Sequence, residues 1–397
     1  MKQFFLIFSM FLFVCCAKQK DNLTNQLVFN GNIDTIKIDT TNFIQAKHII
    51  SNLKIIKLET TSSILIGGID KLLSVEDKII IIDKRKAQNI FVFDTTGQYL
   101  NSIGKIGRGP TEYIGIDDVT LIPETNHIGV LDRGTKKIKI FDLKGKFIRS
   151  EDTPFYLNNI EYLNQHQKIG SLIGRYPNGT EKYSGYSLFT FDKNWEIINY
   201  AFKDPFKPNF KFTSINTLKK YNNHIFYTPP FENLICEIDQ NGINNIYKIS
   251  FLGKEIPKYK LLNTSDQEFS HLLTQYKYFD GIFCDLKNFL ILKTVNKQRE
   301  ETFFYNKKNQ QTYFLNNLIT NPLENYFHKA DLQINDSTII APVSASQIYR
   351  EKEWILSFTV AKPRETKINQ HINELLHNLT ENDNPILFLY SIKSYEK

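Results

Sequence analysis

The sequence predicts an all-β protein, a six-bladed β-propeller with four-stranded blades closed by an N-terminal strand. Two stretches, Ile80–Leu100 and Gly129–Ile148, are nearly the same, and each reads as three short strands separated by two turns. The equivalent residues Asp94 and Asp142 are 48 residues apart. Internal repeats of about 40 to 50 residues that each supply four strands are typical of β-propellers.

Six segments have the alternation of a half-buried strand at about the spacing of successive blades. Each is predicted to be the innermost strand of a blade, next to the central channel. Asn-Gly and Asp-x-x-Gly steps later in the blades predict hairpins, because glycine accepts the positive φ of tight turns. The predicted inner strands are Ile69–Leu72, Asp117–Leu121, Asn158–Tyr162, Ser214–Leu218, Phe279–Phe283 and Lys329–Leu332.

The last blade is predicted to be interrupted and then completed by the other end of the chain. Helical spacing of Ile368, Ile372 and Leu376 predicts a helical insertion from about residue 345 to 381. Either Ile33–Ile38 or Leu53–Leu58 can supply the missing outer strand, which would remove exposed sheet edges. We therefore expect one propeller domain over residues 31–397 and a helical insertion in its last blade.

The N-terminus is a processing signal. Phe4–Val14 is apolar but too short to span a bilayer as a helix, which needs about 20 residues. A cysteine, Cys16, stands where the sequence turns polar, and this predicts a lipoprotein signal in residues 1–16, lipidation of Cys16 and a tether in residues 17–30. The alternative is an ordinary secretory signal. Both place the protein in the cell envelope or beyond, and a lipid anchor would be its only link to a membrane.

Composition excludes several classes of function. The formal net charge of +7 is mild for 397 residues, and we expect no nucleic-acid partner. The histidines and cysteines lack metal-ligand spacing, so we predict no metal and no cofactor. Cys236 and Cys284 fall on different predicted blades and are expected to be buried free thiols. No known catalytic motif is present in the sequence. We expect the protein to be a monomer.

Several stretches resemble the six-bladed β-propeller lipoproteins common in Bacteroidetes. They are Cys16, the run Ile56–Thr61 leading into Leu65–Gly67, the crossing Ile103–Tyr113 and the closing run Glu381–Leu387. The resemblance touches both ends of the chain and the first two blades. It implies the propeller fold and an envelope location, and it implies no established activity.

The arginines are unevenly placed. Most fall either in the connection between the second and third strands of a blade or in a crossing between blades, and both kinds of loop emerge on one face of a propeller. Guanidinium groups gathered there would bind carboxylates or phosphates through paired hydrogen bonds. The alternative is that each arginine pairs with a nearby acid and pins its hairpin. The candidate ligand-binding residues are Arg85, Arg108, Arg133, Arg175, Arg299 and Arg350.

Polar residues also mark the start of each predicted inner strand. They would line the channel entrance and could bind a cation or a sugar, or they could end strands by bonding local backbone amides. These candidate channel-lining residues are Asp70, Asp118, Asn159, Asn216, Asp280 and Asp331.

Three functions are compatible with this sequence. The first is a lipid-anchored envelope propeller that binds an anionic small molecule, an anionic glycan or an envelope protein at an arginine-rich channel mouth, without catalysis. The second is a polysaccharide lyase or hydrolase acting on acidic glycans. The third is a scaffold in an outer-membrane assembly.

Overall fold

Six antiparallel sheets form the blades of a ring in the computed structural model, which confirms the predicted six-bladed β-propeller. The structure describes residues 26–172, 181–203, 216–221, 223–261, 264–315, 322–361 and 366–393. The predicted signal sequence, Cys16 and residues 17–25 of the predicted tether lie outside the described residues.

The N-terminal segment adds strands to the outer edges of the last three blades. Strand β1 (Phe29–Lys37) lies parallel to the outer strand of blade 4, and β2 (Phe43–Ile44) lies parallel to that of blade 5. Strand β3 (Ile50–Lys57) is the fourth strand of blade 6, so the run Leu53–Leu58 closes the ring. Ile33–Ile38, the other proposed closing run, lies on blade 4. These strands cover sheet edges that would otherwise be open to pairing.

Blades 1 to 3 each use four consecutive strands, the innermost first. Blade 1 contains β4 (Lys71–Val75), β5 (Lys78–Asp83), β6 (Asn89–Asp94) and β7 (Tyr99–Ser102). Blade 2 contains β8 (Asp118–Ile122), β9 (His127–Asp132), β10 (Lys137–Phe141) and β11 (Phe147–Asp152). Blade 3 contains β12 (Asn159–Tyr162), β13 (Gln167–Ser171), β14 (Tyr186–Asp192) and β15 (Ile197–Lys203).

Blades 4 and 5 repeat this order, and blade 6 takes three strands from the end of the chain. Blade 4 contains β16 (Leu218–Tyr221), β17 (His224–Tyr227), β18 (Leu234–Asp239) and β19 (Gly242–Ser250). Blade 5 contains β20 (Lys277–Asp285), β21 (Phe289–Asn296), β22 (Arg299–Asn306) and β23 (Gln311–Leu315). Blade 6 contains β24 (Leu332–Gln333), β25 (Thr338–Val343), β26 (Ile386–Ile392) and β3.

Helices are short and lie between strands. Three α-helices, α4 to α6, lie between the second and third strands of blade 6, where the sequence predicts a helical insertion. The α-helices are α1 (Ala46–Ile49), α2 (Asp266–Gln275), α3 (Pro322–Asn325), α4 (Ala345–Arg350), α5 (Lys352–Ala361) and α6 (Thr366–His377). Single turns of 3₁₀-helix are Glu181–Tyr183, Lys258–Leu261 and Tyr326–Lys329.

The core is divided among the interfaces between blades. In β5, Ile79 and Ile81 pack towards blade 6, while Ile80 and Ile82 pack towards blade 2. Successive side chains of a strand point to opposite faces, so a strand covered by blades on both faces becomes a continuous apolar run.

Both thiols in the described residues, those of Cys236 and Cys284, are buried and free, as expected. Burial raises the pKa of each to about 12.

Candidate functional site

One face of the propeller, here called the mouth face, carries most of the irregular chain. Strands alternate in direction within a blade. Therefore the connection between the second and third strands and the crossing to the next blade emerge on the same face. The two longest excursions, residues 251–276 with α2 and residues 344–385 with α4 to α6, lie there as well. The loops that bear the candidate arginines thus share one face. Arg175 lies outside the described residues.

Two of these arginines are paired with acids that also hold their hairpins. Arg85 Nε donates to Asp70 Oδ1 at 2.7 Å, and the other oxygen of Asp70 accepts the Lys84 N–H at 2.8 Å. In blade 2, Arg133 Nε lies 3.3 Å from Asp117 Oδ1, and Asp117 Oδ2 accepts the Arg133 N–H at 2.8 Å. The ion pairs of Arg85 and Arg133 therefore help to fix the conformation of their hairpin loops, although both side chains remain exposed.

Asp83 and Asp132, the acids that lie next to these hairpins in sequence, have another role. Both are fully buried at the ends of their strands. Asp83 Oδ2 accepts the N–H groups of Gly67 and Gly68, each at 2.8 Å, and Asp132 Oδ2 accepts the Ile114 N–H at 3.0 Å. Each acid ties the crossing that enters its blade to the end of the second strand.

Three arginines on the mouth face are exposed and, within the part of the chain that the structure describes, form no ion pair: Arg108, Arg299 and Arg350. Their acidic neighbours in sequence bind other groups. These contacts are Glu112–Lys105 at 3.0 Å, Glu300–Lys293 at 2.7 Å and Glu351–Tyr326 at 2.6 Å.

The loop around Arg108 is held by the carboxylate of Glu112. Glu112 Oε2 accepts the Gly109 N–H at 2.8 Å, and a Cβ on Gly107 would lie 1.9 Å from that same oxygen, so a larger residue at 107 would displace the carboxylate. The Gly109 N–H and the Lys105 ammonium lower the pKa of Glu112. Glu112 stays charged but is already bound, which leaves Arg108 exposed at the tip of the loop.

A buried charge network fills the channel side of blades 1 to 3. Lys71 Nζ lies 3.1 Å from Asp118 Oδ1 and 2.8 Å from Glu161 Oε1, and Thr120 donates to Glu161 Oε2 at 2.6 Å. Burial works against the charge on Lys71, but Asp118 and Glu161 outweigh it and raise the Lys71 pKa. Burial likewise works to raise the pKa of Asp118, and Lys71 and Lys84 lower it. The network is charged and compensated.

Amides extend this network to blade 4. Lys84 Nζ lies 3.3 Å from Asp118 Oδ1 and donates to Asn216 Oδ1 at 2.8 Å, and Asn216 Nδ2 donates to the Asp70 carbonyl at 3.1 Å. Asn159 Oδ1 accepts the Thr217 N–H at 3.1 Å. Four of the six predicted channel-lining residues, those of blades 1 to 4, are thus joined by hydrogen bonds or through Lys84.

The other two, Asp280 and Asp331, lie in blades 5 and 6, and the neighbouring blade 4 carries Lys219, a lysine that the sequence analysis missed. Lys219 on β16 places Nζ 4.7 Å from the centre of the Phe283 ring. Burial lowers the pKa of Lys219, raises that of Asp280 to about 6 and raises that of Asp331. Oδ1 of Asp331 is buried and has no hydrogen-bond partner among the residues that the structure describes.

Lysines and Glu161 in the inner strands are the functional candidates that sequence reasoning overlooked. Lys71 begins the inner strand KLLSV, Glu161 lies in NIEY and Lys219 lies in LKKY, so each charge stands beside apolar or aromatic residues. A charge at such a position in an inner strand was the available signal, because a strand covered on both faces has no other reason to carry one.

Other features of the described residues bear on function. No group of three or more His, Cys, Asp or Glu side chains among them could hold a metal ion. No helix within those ranges is long and apolar enough to cross a membrane. An open cleft of 840 Å³ lies along α2, and its lining residues include Lys260, His271 and Gln298.

These features define a six-bladed propeller with a loop-rich, arginine-bearing mouth face. The chain belongs to the family described as "Domain of unknown function (DUF4934)", whose model matches residues 31–391. Its fold is similar to that of a "putative exported protein" from Bacteroides fragilis, with a TM-score of 0.73 and 21% identity over 91% of this chain and 100% of that chain. A member of the DUF4221 family from Bacteroides vulgatus has a TM-score of 0.51 and 10% identity over 87% of this chain and 97% of that chain. At these identities both likenesses show the fold alone. No curated protein matches the chain.

Proposed function

We propose that this propeller is a lipid-anchored protein of the cell envelope that binds an anionic ligand at its mouth face. One observation carries the proposal: Arg108, Arg299 and Arg350 are exposed on that face while the acids beside them bind other groups. A guanidinium group without an internal partner can form two parallel hydrogen bonds with a carboxylate, sulfate or phosphate. Arg85 and Arg133, held by Asp70 and Asp117, position the loops rather than the ligand.

The envelope location is supported by the lipobox-like sequence at Cys16 and by the likeness to a Bacteroides fragilis protein described as exported. An acidic glycan is the ligand class we favour, because cations spread over several loops match charges repeated along a chain. A protein partner with an acidic patch is the alternative ligand.

A second candidate function, cleavage of an acidic glycan, is favoured by Asp280. Its pKa of about 6 suits a group that gives or takes a proton near neutral pH. Turnover of a bound glycan would support this function, and binding without turnover would support the first.

The direct test is thermal unfolding of the full-length chain with a panel of uronate and sulfated oligosaccharides, phosphorylated sugars and neutral controls. A ligand at 100 times its dissociation constant should stabilise the protein by about 2.7 kcal/mol. Stabilisation confined to acidic compounds supports the proposal. Equal response to neutral and acidic compounds, or no response at all, contradicts anion binding at this face.

A further inference from the structure

We propose that Lys219, Asp280 and Asp331 form a pocket at the channel that binds the hydroxyl groups of a sugar residue. This inference rests on the proposed function, because the sugar residue would belong to the same acidic glycan whose charged groups contact the arginines.

The three side chains come from three consecutive blades. Lys219 lies on the inner strand β16 of blade 4, and Asp331 stands one residue before the inner strand β24 of blade 6. Asp280 lies in blade 5 where the pairing of β20 with β21 breaks register between Phe279 and Phe283. The irregularity includes Gly281 at φ 86°, a left-handed conformation that favours glycine. Such an irregularity gives the Asp280 side chain a different direction from the one it would have in a regular strand.

These charges differ from those of blades 1 to 3 in one respect. Lys71, Lys84, Asp118 and Glu161 each have an opposite charge or a hydrogen-bond partner within 3.3 Å. By contrast, none of the three pocket residues has an ion-pair partner within 4.0 Å among the residues described. Asp280 Oδ1 accepts the Ile282 N–H at 3.0 Å, a bond within its own strand.

Such an arrangement is costly in the free protein. A buried acceptor that finds no hydrogen-bond partner among the described residues, such as Oδ1 of Asp331, has lost its bonds to water without replacement. Lys219 reaches towards blade 5, where its Nζ lies 4.7 Å from the centre of the Phe283 ring, but among the described residues no carboxylate lies within 4.0 Å of this ammonium group. A ligand with both hydrogen-bond donors and acceptors would give the ammonium group and the carboxylates the partners that the described part of the fold does not supply.

The presence of both positive and negative side chains in the pocket indicates the class of ligand. A simple anion would be repelled by Asp280 and Asp331, and a simple cation would be repelled by Lys219. A hydroxyl group suits both, because it donates a hydrogen bond to a carboxylate and accepts one from an ammonium group. Adjacent hydroxyls on a sugar ring present several such groups in fixed positions, so little conformational entropy is lost on binding.

The arginines and the pocket therefore divide the recognition of one ligand. Arg299 is the first residue of β22, the third strand of blade 5, and Arg350 lies in α4 of blade 6, on the face where these blades begin their inner strands. A uronate or sulfate at the rim and hydroxyls at the pocket together describe an acidic glycan.

The test is calorimetric titration of the full-length chain with trigalacturonate, with its neutral methyl ester and with inorganic sulfate. Lys219→Met and Asp331→Asn should weaken trigalacturonate and methyl ester by at least about 10-fold and leave sulfate binding unchanged. Lys220→Met is the matched control, because Lys220 is the next residue but donates to the Tyr162 carbonyl at 2.8 Å, towards blade 3. It should change none of the three affinities.

The outcomes separate the two proposals. If trigalacturonate binds and the pocket variants bind it like the wild type, the pocket is wrong and the anion-binding face stands. If the methyl ester binds as well as trigalacturonate and Lys219→Met weakens both, the pocket stands without a preference for acids. If neither compound binds the wild type, both proposals are overturned.

Discussion

Lys71 on the first blade and Glu161 on the third blade form an ion pair at 2.8 Å, across the inner strand of the blade between them. Asp118 of blade 2 completes the contact at 3.1 Å from the same ammonium group. Three blades are thus joined at the channel by charge, while apolar contacts join neighbouring blades further out. A pair of this kind fixes the relative positions of blades that share no sheet.

Glu161→Gln should destabilise the fold strongly. The substitution leaves Lys71 buried with only Asp118 as its counter-charge, and loss of one partner of a buried pair costs about 3 kcal/mol or more. Asp152→Asn is the control, because Asp152 pairs with Lys137 at 2.6 Å but its side chain is 83% exposed. The control should cost less than about 1 kcal/mol. Urea unfolding measures both, and equal effects would contradict a structural role for the network.

Asn384→Ala should weaken the joint between the chain ends. The buried Asn384 side chain donates to the carbonyls of Glu59 at 2.7 Å and Ile64 at 2.8 Å, and it accepts the Ile66 N–H at 2.7 Å. Removing it leaves three backbone groups without this partner, two of them in buried contacts, and we expect a loss of about 3 kcal/mol in unfolding free energy. The exposed Asn382→Ala is the control. A change below about 1 kcal/mol for Asn384→Ala would mean that the backbone groups find other partners.

Ile36→Ala should show that the N-terminal strand belongs to the core. Ile36 on β1 is fully buried between blades 4 and 5, and truncating such a side chain costs about 2–5 kcal/mol. Ile33 lies on the same strand but is 59% exposed, so Ile33→Ala should change stability by less than about 0.5 kcal/mol. Thermal unfolding of both variants tests this, and a similar small shift in each would contradict the assignment.

Asp280→Asn should stabilise the protein at alkaline pH. Burial raises the pKa of Asp280 from 3.8 to about 6, so the folded state binds a proton more tightly than the unfolded chain. The stability that this group contributes is complete below about pH 4 and is lost as the pH rises through 6. Asparagine carries no charge, so the variant should exceed the wild type by roughly 2 kcal/mol at pH 8 and match it at pH 4. Denaturant titration at the two pH values measures this, and a variant less stable than the wild type at pH 8 would be the contrary result.

The blade repeat was predictable because residues close together in the sequence determine the shape of its turns. Asp94 Oδ1 accepts the N–H groups of Thr96 and Gln98, and Gly97 takes φ 94°. Asp142 and Gly145 repeat this turn in blade 2. In blade 3, Asp192 makes the same contacts, but Trp195 takes the place of glycine at φ 69°, which is why that copy was harder to recognise.

Partners of the arginines were not predictable, because they depend on register. Asp70 and Asp117 precede their inner strands and bind Arg85 and Arg133, whereas Asp118, one residue later, points into the network. A shift of one residue moves a strand side chain to the other face. Sequence spacing placed polar residues at the channel entrance but could not determine which of them meet across blades.

The most direct test of anion binding is the affinity of the full-length chain for trigalacturonate after three exposed arginines of the mouth face are replaced. Arg108→Ala, Arg299→Ala and Arg350→Ala combined should weaken binding by no less than about 100-fold, because each charge-assisted contact contributes about 1.5 kcal/mol or more. Arg149→Ala is the control, since Arg149 lies on the outer strand β11 and is paired with Glu151 at 2.9 Å. Loss of binding in the triple variant with an unchanged control is the predicted result. Retention of wild-type affinity in the triple variant would contradict the proposed function.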